Sequence, residues 1–476
     1  MSRTTRRRFL KTAGSAAGLA LVAPHALAAK ARRGGLNILF LFPDQHRGDW
    51  VGGTEGLDVR TPNLDTLAAR GLRCTQALSP SPVCAPSRAC LASGKRYDRC
   101  GVPGNGADYP LDQPTFYQML RDAGYQVGGC GKFDLHKPSP TWGIDGQHLL
   151  KEWGFTCGID SAGKWDAIRS GSVEPKDPYM HYLKEKGLLQ THVDDMEKRR
   201  GNHLAVFATP LPDEAYGDNW VGRQAEDLLK AFAKDKPWFL QVNFPGPHDP
   251  WDITESMARR VRDRMRFPPP LGEASLTPEH LAVRQNYTAM VENIDHWVGR
   301  LLDAVETRGE TDNTLVVYSS DHGEMLGDHG AWGKSRPHHP SARVPLYVAA
   351  PGAIGRKVCN EPIATLDLTA TFLYYARAKG SDGMDSTSLH ALLEGEVGPP
   401  RDVVTSGLGA WRLAFDGRFK LVTGWADGKP ANGADAAGPL VTLWDLKADP
   451  NETTNVADQH PDVVARLTEA LEKNDK

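Results

Sequence analysis

The sequence lacks three features that mark common classes of protein. Its seven cysteines include no pair in CxxC spacing, which argues against a structural zinc cluster. Its 56 Lys and Arg residues nearly balance its 59 Asp and Glu residues, so no basic surplus points to a nucleic-acid partner. Beyond the first residues, no run of about 18 or more apolar residues predicts a membrane span. An anionic substrate would therefore have to be bound by a few well-placed cations.

The first 29 residues have the composition of an export signal. Thr5–Lys11 contains consecutive arginines, Ala13–Val22 is weakly apolar, and Ala26–Ala28 offers a small-residue cleavage site. This order is typical of a twin-arginine signal peptide. We therefore expect a soluble protein that is periplasmic or otherwise exported, with the twin-arginine translocase as a partner. The alternative is a basic, disordered tail.

Four apolar runs are followed by polar residues that suit a ligand site. Each run predicts a buried strand of a parallel sheet. Because ligands bind outside the carboxyl ends of such strands, we expect these polar residues to converge. The runs and the residues that follow them are Leu36–Phe42 before Asp44, Tyr125–Gly129 before Lys132, Trp238–Phe244 before His248 and Leu315–Ser320 before Asp321.

Amphipathic helices are predicted between these strands. Apolar residues step by three and four from Tyr287 to Val305, and further helices are predicted at Trp220–Phe232 and Tyr117–Arg121. The stretch Trp142–Pro212 shows no such pattern and is expected to form long loops beside a substrate pocket. These patterns predict an α/β fold in which helices flank a large, mostly parallel central sheet.

The pattern changes after about Pro399. Trp411–Phe415 and Phe419–Val422 are short alternating segments, and Asp416-Gly417 between them predicts a β-hairpin. A final helix is predicted at His460–Lys473. The C-terminal part should therefore be a small antiparallel sheet plus a helix. We divide the chain into a signal peptide at 1–29, a catalytic α/β domain at 35–398 and a C-terminal α+β subdomain at 399–476.

The most informative stretch is Cys84-Ala85-Pro86-Ser87-Arg88, which continues through Leu91 and Ser93-Gly94. It resembles the signature by which sulfatases mark one cysteine for oxidation to formylglycine (3-oxoalanine). The resemblance implies that Cys84 becomes the nucleophile, and that a formylglycine-generating or sulfatase-maturating enzyme is a partner. Of the two hydroxyls of hydrated formylglycine, one can attack a sulfate ester and the other can later expel the bound sulfate. The alternative is an unmodified, buried thiol.

A second motif, Asp321-His322-Gly323-Glu324, follows a predicted strand directly. Together with Asp44-Gln45 it resembles the metal site of sulfatases and of related phosphonate or phosphate ester hydrolases in the alkaline phosphatase superfamily. The resemblance implies one divalent cation bound by Asp44, Gln45, Asp321, His322 and residue 84. Gln45 stands where many relatives have a second Asp. The mostly oxygen ligands favour Ca²⁺, and the imidazole leaves Mn²⁺ or Zn²⁺ open.

Two cations are expected to act on the nucleophile and on the sulfate. Arg88 lies four residues beyond Cys84, so both share one face if Pro86 opens a helix. Such a cation would stabilise the ionised nucleophile. Lys334 matches a late lysine that binds sulfate oxygens in the sulfatase family. The alternative for Lys334 is an exposed, solvated side chain.

Three further catalytic residues follow from the resemblance. Lys132 matches a lysine that contacts formylglycine and the sulfate. His248 matches the histidine of a PHxP motif and is expected to protonate the leaving alcohol. The family commonly has a histidine two residues after the lysine, where this sequence has Asp134. The resemblance therefore implies that His136, two residues further on, is the base for the second step, the release of the bound sulfate. The alternative is that His136 is only a surface residue.

The resemblance extends to the C-terminal part. Asp382–Gly395 resembles the end of the sulfatase catalytic domain, and Leu443–Glu452 with Asn455 resembles the family's C-terminal stretch. In this reading the chain is an alkaline phosphatase-like, exported sulfatase that hydrolyses a sulfate monoester of a carbohydrate. Its substrate would be a small-molecule or oligosaccharide sulfate ester.

Two other functions stay open at this point. The same nucleophile and metal motifs also resemble phosphonate monoester or phosphodiester hydrolases. A catalytically silent, metal-dependent glycan-binding protein would keep Cys84 as a thiol. Specificity should lie in the segments 142–212 and 251–270, where Trp153, Trp165 and Trp251 could stack on sugars or pack in the core.

Overall fold

Eight strands form the central sheet of the computed structural model, which describes residues 35–353, 357–396, 398, 400–426, 429–430 and 440–474. The predicted signal peptide lies outside the described residues. The strands are β1 (Asn37–Leu41), β2 (Leu72–Leu78), β3 (Gln126–Gly131), β4 (Cys157–Asp160), β5 (Trp238–Asn243), β6 (Thr314–Tyr318), β7 (Arg343–Ala349) and β8 (Val358–Ala364).

The strands lie in the order β4-β3-β5-β1-β6-β7-β2-β8, and only β7 runs against its neighbours. The predicted mostly parallel sheet is therefore confirmed. β1 lies near the middle, and its side chains alternate between two apolar clusters: Ile38 and Phe40 pack on one face, Leu39 and Leu41 on the other. Because both faces are buried, this strand needs the continuous apolar run seen in the sequence.

Helices cover both faces of this sheet. The described helices of the catalytic part are α1 (Pro62–Arg70), α2 (Cys84–Ser93), α3 (Phe116–Asp122), α4 (Leu150–Trp153), α5 (Lys164–Arg169), α6 (Pro178–Glu185), α7 (Leu189–Arg199), α8 (Gly217–Ala231), α9 (Glu255–Val261), α10 (Pro278–Thr307), α11 (His339–Ala342), α12 (Asp367–Ala376) and α13 (His390–Leu393). The predicted helices at 117–121 and 220–232 correspond to α3 and α8. The prediction at 287–305 covers the C-terminal part of α10, which begins at Pro278 after the N-cap Thr277.

The prediction of long loops at Trp142–Pro212 is wrong. This stretch contains β4 and the helices α4 to α7, which are 4 to 11 residues long. Apolar periodicity is hard to detect in such short elements. One local signal was present, because Asp177 caps α6 through a 2.9 Å hydrogen bond from the backbone N–H of Met180, directly before Pro178.

The C-terminal part has its own antiparallel sheet. The hairpin predicted around Asp416-Gly417 is confirmed, because Phe415 pairs with Lys420. The elements are β9 (Val404–Leu408), β10 (Trp411–Phe415), β11 (Phe419–Thr423), the short pair β12 (Trp425–Ala426) and β13 (Lys429–Pro430), β14 (Val441–Asp445) and the helix α14 (Pro461–Asn474). The four longer strands lie in the order β14-β11-β10-β9, and Leu467 of α14 packs on Leu421 and Leu443. In the described part of the chain, no helix is long and apolar enough to cross a membrane.

Candidate active site

Cys84 is the first residue of helix α2, and all ten residues of this helix are buried. The helix thus begins two residues before Pro86, with Val83 as its N-cap. The Sγ of Cys84 lies 3.0 Å from Nζ of Lys334 and 3.3 Å from Nε2 of His322. The free N–H groups at a helix N-terminus favour an anion at this place.

Four side chains at the ends of three elements converge on one point. Ligand atoms of Asp44, Cys84, Asp321 and His322 all lie within 4.8 Å of one another, and all four residues are buried. Asp44 follows β1 and Asp321 follows β6, as the strand-end argument predicts. Two carboxylates, an imidazole and a sulfur at this spacing could hold one metal ion.

Two atoms of this cluster have the chemistry that a bound cation requires. The Oδ1 of Asp44 is buried and has no hydrogen-bond partner among the described residues. The Nδ1 of His322 lies 3.0 Å from the backbone oxygen of Gly323, so Nδ1–H can donate there and leave the Nε2 lone pair for a metal. Both atoms fit a cation in the cluster.

Gln45 reaches the same cluster, but its side chain bonds to other residues. Its backbone N–H donates to Asp321 at 3.0 Å. Its amide oxygen accepts a 2.8 Å hydrogen bond from Nζ of Lys334, and its amide nitrogen donates to Glu324. With φ at 68° its backbone is in the left-handed region. The predicted role of Gln45 as a metal ligand stays a prediction.

Arg88 and Lys132 neutralise the two carboxylates of the cluster. Nε and Nη2 of Arg88 lie 3.0 and 2.9 Å from Oδ2 of Asp321. Lys132 binds Asp44 through its Nζ. Burial would raise the pKa of Asp44, and so would Cys84, but the nearby cations, Lys132 first, hold it below its usual value. Asp44 is therefore ionised.

Lys334 and His248 lie side by side next to residue 84. The Nζ of Lys334 lies 2.7 Å from Nε2 of His248. Burial and Lys334 would lower the pKa of His248, but the carboxylates of Asp249 and Asp44 and a hydrogen bond with Cys84 raise it. A histidine with a raised pKa can hold the proton that a leaving alkoxide needs.

The thiol of Cys84 lies in a strongly cationic environment. Burial would raise its pKa, but Lys132, Lys334, His322 and Lys137 bring it well below its usual value. Lys137 was not among the predicted site residues. The signal for it was weak, because a lysine five residues after Lys132 matches no motif.

His136 lies apart from the lysines. Its Nε2 lies 3.1 Å from Oδ2 of Asp160, and its ring packs against Trp142 and Trp153, with ring centres 5.3 and 5.5 Å away. Burial would lower the pKa of His136, but Asp160 raises it. The structure thus makes His136 a buried partner of Asp160, not the surface residue of the alternative interpretation.

Asp134 occupies the position beside the lysines. Its Oδ2 lies 2.9 Å from Nζ of Lys132 and 2.8 Å from Nζ of Lys137. Its Oδ1 is buried without a hydrogen-bond partner in the described segments. A φ of 55° turns its side chain away from the path of a regular strand or helix. The sequence pattern alone left open whether Asp134 or His136 takes this place.

Two more acidic residues support the site and were not predicted. Glu324 is fully buried, and its Oε1 accepts hydrogen bonds from the backbone N–H groups of Leu326 and Gly333, at 3.0 and 2.7 Å. These bonds fix the turn before Lys334. Asp249 lies 3.3 Å from Nδ1 of His248. Both residues are part of motifs quoted from the sequence, so their positions there were the available signal.

Comparisons with known proteins agree with this geometry. A family model described as Sulfatase matches residues 37–378. The chain is 26% identical over 454 residues to an arylsulfatase of Clostridium perfringens, and the aligned region covers 88% of this chain and 90% of that protein. It is 27% identical over 413 residues to an N-acetylglucosamine-6-O-sulfatase of Bacteroides thetaiotaomicron, over 77% of this chain and 72% of that one.

The fold resembles that of a solved crystal structure, the phosphonate monoester hydrolase of Agrobacterium radiobacter. The TM-score is 0.73 at 23% sequence identity, and the match covers 92% of this chain and 95% of that chain. At this identity the likeness concerns the fold.

Proposed function

This chain belongs to the sulfatase family, and from that premise we propose that it hydrolyses a sulfate monoester of a carbohydrate with residue 84 as the nucleophile. Family membership makes it a sulfuric ester hydrolase, as predicted. The alkaline phosphatase-like fold is also as predicted. The nucleophile, the metal and the sugar are the parts that we propose.

One observation supports the nucleophile above all others. The Sγ of Cys84 lies within 3.3 Å of both Lys334 and His322, at the start of a buried helix and beside the carboxylates of Asp44 and Asp321. As hydrated formylglycine, residue 84 would supply one oxygen for attack on sulfur and a second one for release of the sulfate. Arg88, Lys132 and Lys334 surround this residue with positive charge and thereby favour an ionised oxygen there.

A metal ion would be held by Asp44, Asp321, His322 and residue 84, with Gln45 as a further ligand. Such an ion polarises a sulfate oxygen and lowers the pKa of an oxygen bound to it. We favour Ca²⁺, because most of the ligand atoms are oxygens, and keep Mn²⁺ and Zn²⁺ as alternatives. The free Oδ1 of Asp44 supports this assignment.

Lysine side chains bind the substrate's sulfate group in this proposal. The Nζ of Lys334 contacts Cys84, Gln45 and His248 within 3.0 Å, so it lies where an oxygen of the sulfate would come. Lys132 approaches from the carboxyl end of β3. A sulfate spreads its charge over several oxygens, and several fixed donors suit such an ion.

His248 protonates the leaving alcohol in this proposal. Its Nδ1 side lies beside Asp249, 3.3 Å away, which fixes the ring and favours the protonated form. Its Nε2 then points toward Lys334 and residue 84. When a sulfate binds Lys334, this nitrogen is free to donate its proton to the ester oxygen.

A second proton must leave residue 84 when the sulfate is released. The family resemblance assigns this step to His136. The contacts of Asp134 support it as the alternative base, because its Oδ1 is free and its Oδ2 binds Lys132 and Lys137. Lys132 and Lys137 hold the pKa of Asp134 below its usual value although burial would raise it, so it is ionised and able to accept a proton.

The proposal includes export and maturation. Residues 1–29 would direct the folded protein through the twin-arginine translocase to the periplasm or beyond. A formylglycine-generating or sulfatase-maturating enzyme would convert Cys84. The carbohydrate is supported by the name of one relative, an N-acetylglucosamine-6-O-sulfatase.

The test is a substrate panel combined with mass spectrometry. Protein co-expressed with a formylglycine-generating enzyme is incubated with sulfated sugars and aryl sulfates, and sulfate release is measured. Mass spectrometry of the peptide that contains residue 84 reports whether it is an aldehyde. Turnover with an aldehyde supports the proposal. An unmodified Cys84 in protein from its native host, together with glycan binding, would support the silent binding protein instead.

A phosphonate monoester or phosphodiester hydrolase is the second candidate. The pair Asp44-Gln45 with Asp321-His322 also resembles that branch of the superfamily. Rates on an aryl sulfate, a phosphate diester and a phosphonate monoester separate the two functions. A preference for phosphorus by several orders of magnitude would replace the sulfatase proposal.

A further inference from the structure

The three tryptophans of the segments predicted to determine specificity differ in their exposure to solvent. Trp153 and Trp251 are 1% exposed and pack in apolar clusters. Trp165 on helix α5 is half-buried, so part of its ring is open to solvent. Of these three, Trp165 is therefore the one that is available to a ligand.

Trp165 is connected to the proposed proton donor. Its Nε1–H donates a 3.0 Å hydrogen bond to Oδ2 of Asp249. Asp249 follows His248 directly and lies 3.3 Å from its Nδ1. The indole ring is thus fixed by the residue that also contacts His248, the proposed proton donor to the leaving alcohol.

Arg200 lies over the same ring. It follows the last residue of helix α7, and its guanidinium carbon is 5.6 Å from the centre of the Trp165 ring. It bonds to Glu197 at 2.6 and 2.8 Å, and both side chains of this pair are about half exposed. Exposed ion pairs of this kind contribute little to stability, so Arg200 can exchange its partner for an anionic ligand at small cost.

A second aromatic pair is linked to the segments that carry Asp249 and Lys334. Trp332 stands two residues before Lys334 and is half-buried, and its ring is parallel to that of exposed His203, with ring centres 5.9 Å apart. The backbone oxygen of His203 accepts a 2.7 Å hydrogen bond from Trp251, two residues after Asp249. Trp165, Arg200, His203 and Trp332 therefore form what we name the rim.

We propose that the rim binds the sugar that bears the sulfate ester and selects sugars with a second anionic group. The apolar face of a pyranose ring would stack on Trp165, and a further sulfate or carboxylate on that sugar would bind Arg200. This inference rests on the proposed function, because it places the leaving alcohol beside His248. The cation Arg200 at the rim also suits a substrate whose scissile sulfate is already bound by Lys132 and Lys334.

Four single variants of the full chain test the proposal. Trp165→Ala removes both the ring and the bond to Asp249, whereas Trp165→Phe keeps an aromatic face and removes only the bond. Arg200→Met removes the charge. Arg259→Met is the matched control, because Arg259 forms a similarly exposed pair with Glu255, 3.6 Å apart, on helix α9. Each is compared with wild type on D-glucosamine-2-N,6-O-disulfate, on D-glucosamine-6-O-sulfate and on an aryl sulfate.

The expected result is a change in specificity. Arg200→Met should lower the ratio of kcat/KM for the disulfated over the monosulfated sugar about tenfold, because it loses one charge-assisted contact. Trp165→Ala should raise KM for both sugars about tenfold, and Trp165→Phe should stay within about threefold of wild type. Arg259→Met should equal wild type. Equal ratios in wild type and Arg200→Met, or unchanged sugar KM in Trp165→Ala, would overturn the proposal.

Binding to the inactive Cys84→Ser protein separates this inference from the proposed function. Calorimetry should show that the disulfated sugar binds more tightly than the monosulfated sugar, and that adding Arg200→Met abolishes the difference. One outcome is that wild-type protein that contains formylglycine hydrolyses no sulfate ester although the inactive protein still prefers the disulfated sugar. In that case the proposed function is wrong, and the proposal that the rim binds the sugar is supported. If wild type is active but the inactive protein binds neither sugar, or both equally, the rim proposal fails alone.

Discussion

Lys334 places its Nζ 3.0 Å from the Sγ of Cys84, across 250 residues of sequence. Cys84 opens helix α2, whereas Lys334 lies in the segment between β6 and β7. The backbone N–H of Ser335 donates a 2.9 Å hydrogen bond to the oxygen of Pro82, which ties this segment to the start of the helix. The lysine is thus held beside Cys84 by the backbone of the residue that follows it.

Replacing Lys334 by Met should lower kcat/KM for a sulfate ester about 10²- to 10³-fold, because a fixed cation beside the developing charge is lost. The melting temperature should change by only a few degrees, since the residue lies at the open side of the site. Steady-state kinetics and thermal unfolding check this. A variant within twofold of wild-type kcat/KM would remove Lys334 from the proposed anion site.

Replacing Cys84 by Ser should abolish turnover while the protein stays folded, because the nucleophile can no longer be made from cysteine. Sulfate release and circular dichroism are the measurements. Cys157→Ser is the matched control: this thiol on β4 is only half-buried, and its variant should keep full turnover. Undiminished sulfatase activity of the Cys84 variant would contradict the mechanism.

Asp134→Asn and His136→Gln should differ in the second half of the reaction. If Asp134 is the base, its variant releases the alcohol in a burst and the sulfate slowly, whereas His136→Gln chiefly loses stability with its bond to Asp160. Rapid-mixing kinetics that follow both products check this. A burst only in the His136 variant would restore the assignment that the family resemblance implies.

Lys420→Met should destabilise the protein by about 3–5 kcal/mol, since it leaves the carboxylate of Glu452 buried without its cation. Both side chains are at most 1% exposed, and Lys420 also donates to the oxygen of Pro337 at 2.7 Å. Urea unfolding measures the change. Arg418→Met, which breaks a solvent-exposed pair with Asp445, should lower the free energy of unfolding much less than Lys420→Met does. An equal loss of unfolding free energy in both variants would show that burial of the ion pair does not determine how much its removal destabilises the protein.

Asp218→Asn should change how stability depends on pH. Burial raises the pKa of Asp218 from 3.8 to about 6 in the folded protein. The folded state therefore binds this proton more tightly than the unfolded state, and the free energy of unfolding falls as pH rises through this window. The variant should lack this fall, whereas Asp227→Asn, at an exposed position of the same helix, should keep it. The free energy of unfolding of each protein, measured by urea unfolding at several pH values between 4 and 7, checks this prediction.

The edge of the sheet where the site lies could be predicted from the sequence. Buried parallel strands end beside Asp44, Lys132, His248 and Asp321, and the rule for strand ends suffices to bring them together. The choice between Asp134 and His136 could not be made in this way. It depends on a backbone turn at Asp134 with a φ of 55°, which apolar patterns do not encode.

The segment 142–212 was predicted least well, and for a related reason. Its helices are short, and their packing depends on contacts with distant residues, such as the bond from Trp165 to Asp249. Which of the three tryptophans is exposed to solvent depends on how these distant segments pack in the folded protein. Composition and spacing in the segment itself are therefore insufficient to distinguish Trp165 from Trp153.

The burial of helix α2 has a consequence for the order of events in biosynthesis. Cys84 is 1% exposed and every residue of its helix is buried, so a second protein cannot close around this stretch once the chain has folded. An enzyme that converts Cys84 must therefore meet the motif on a nascent or unfolded chain. If Cys84 is converted as proposed, the fraction of molecules with the aldehyde would be set by a competition between two rates, that of the modification and that at which helix α2 packs into the core.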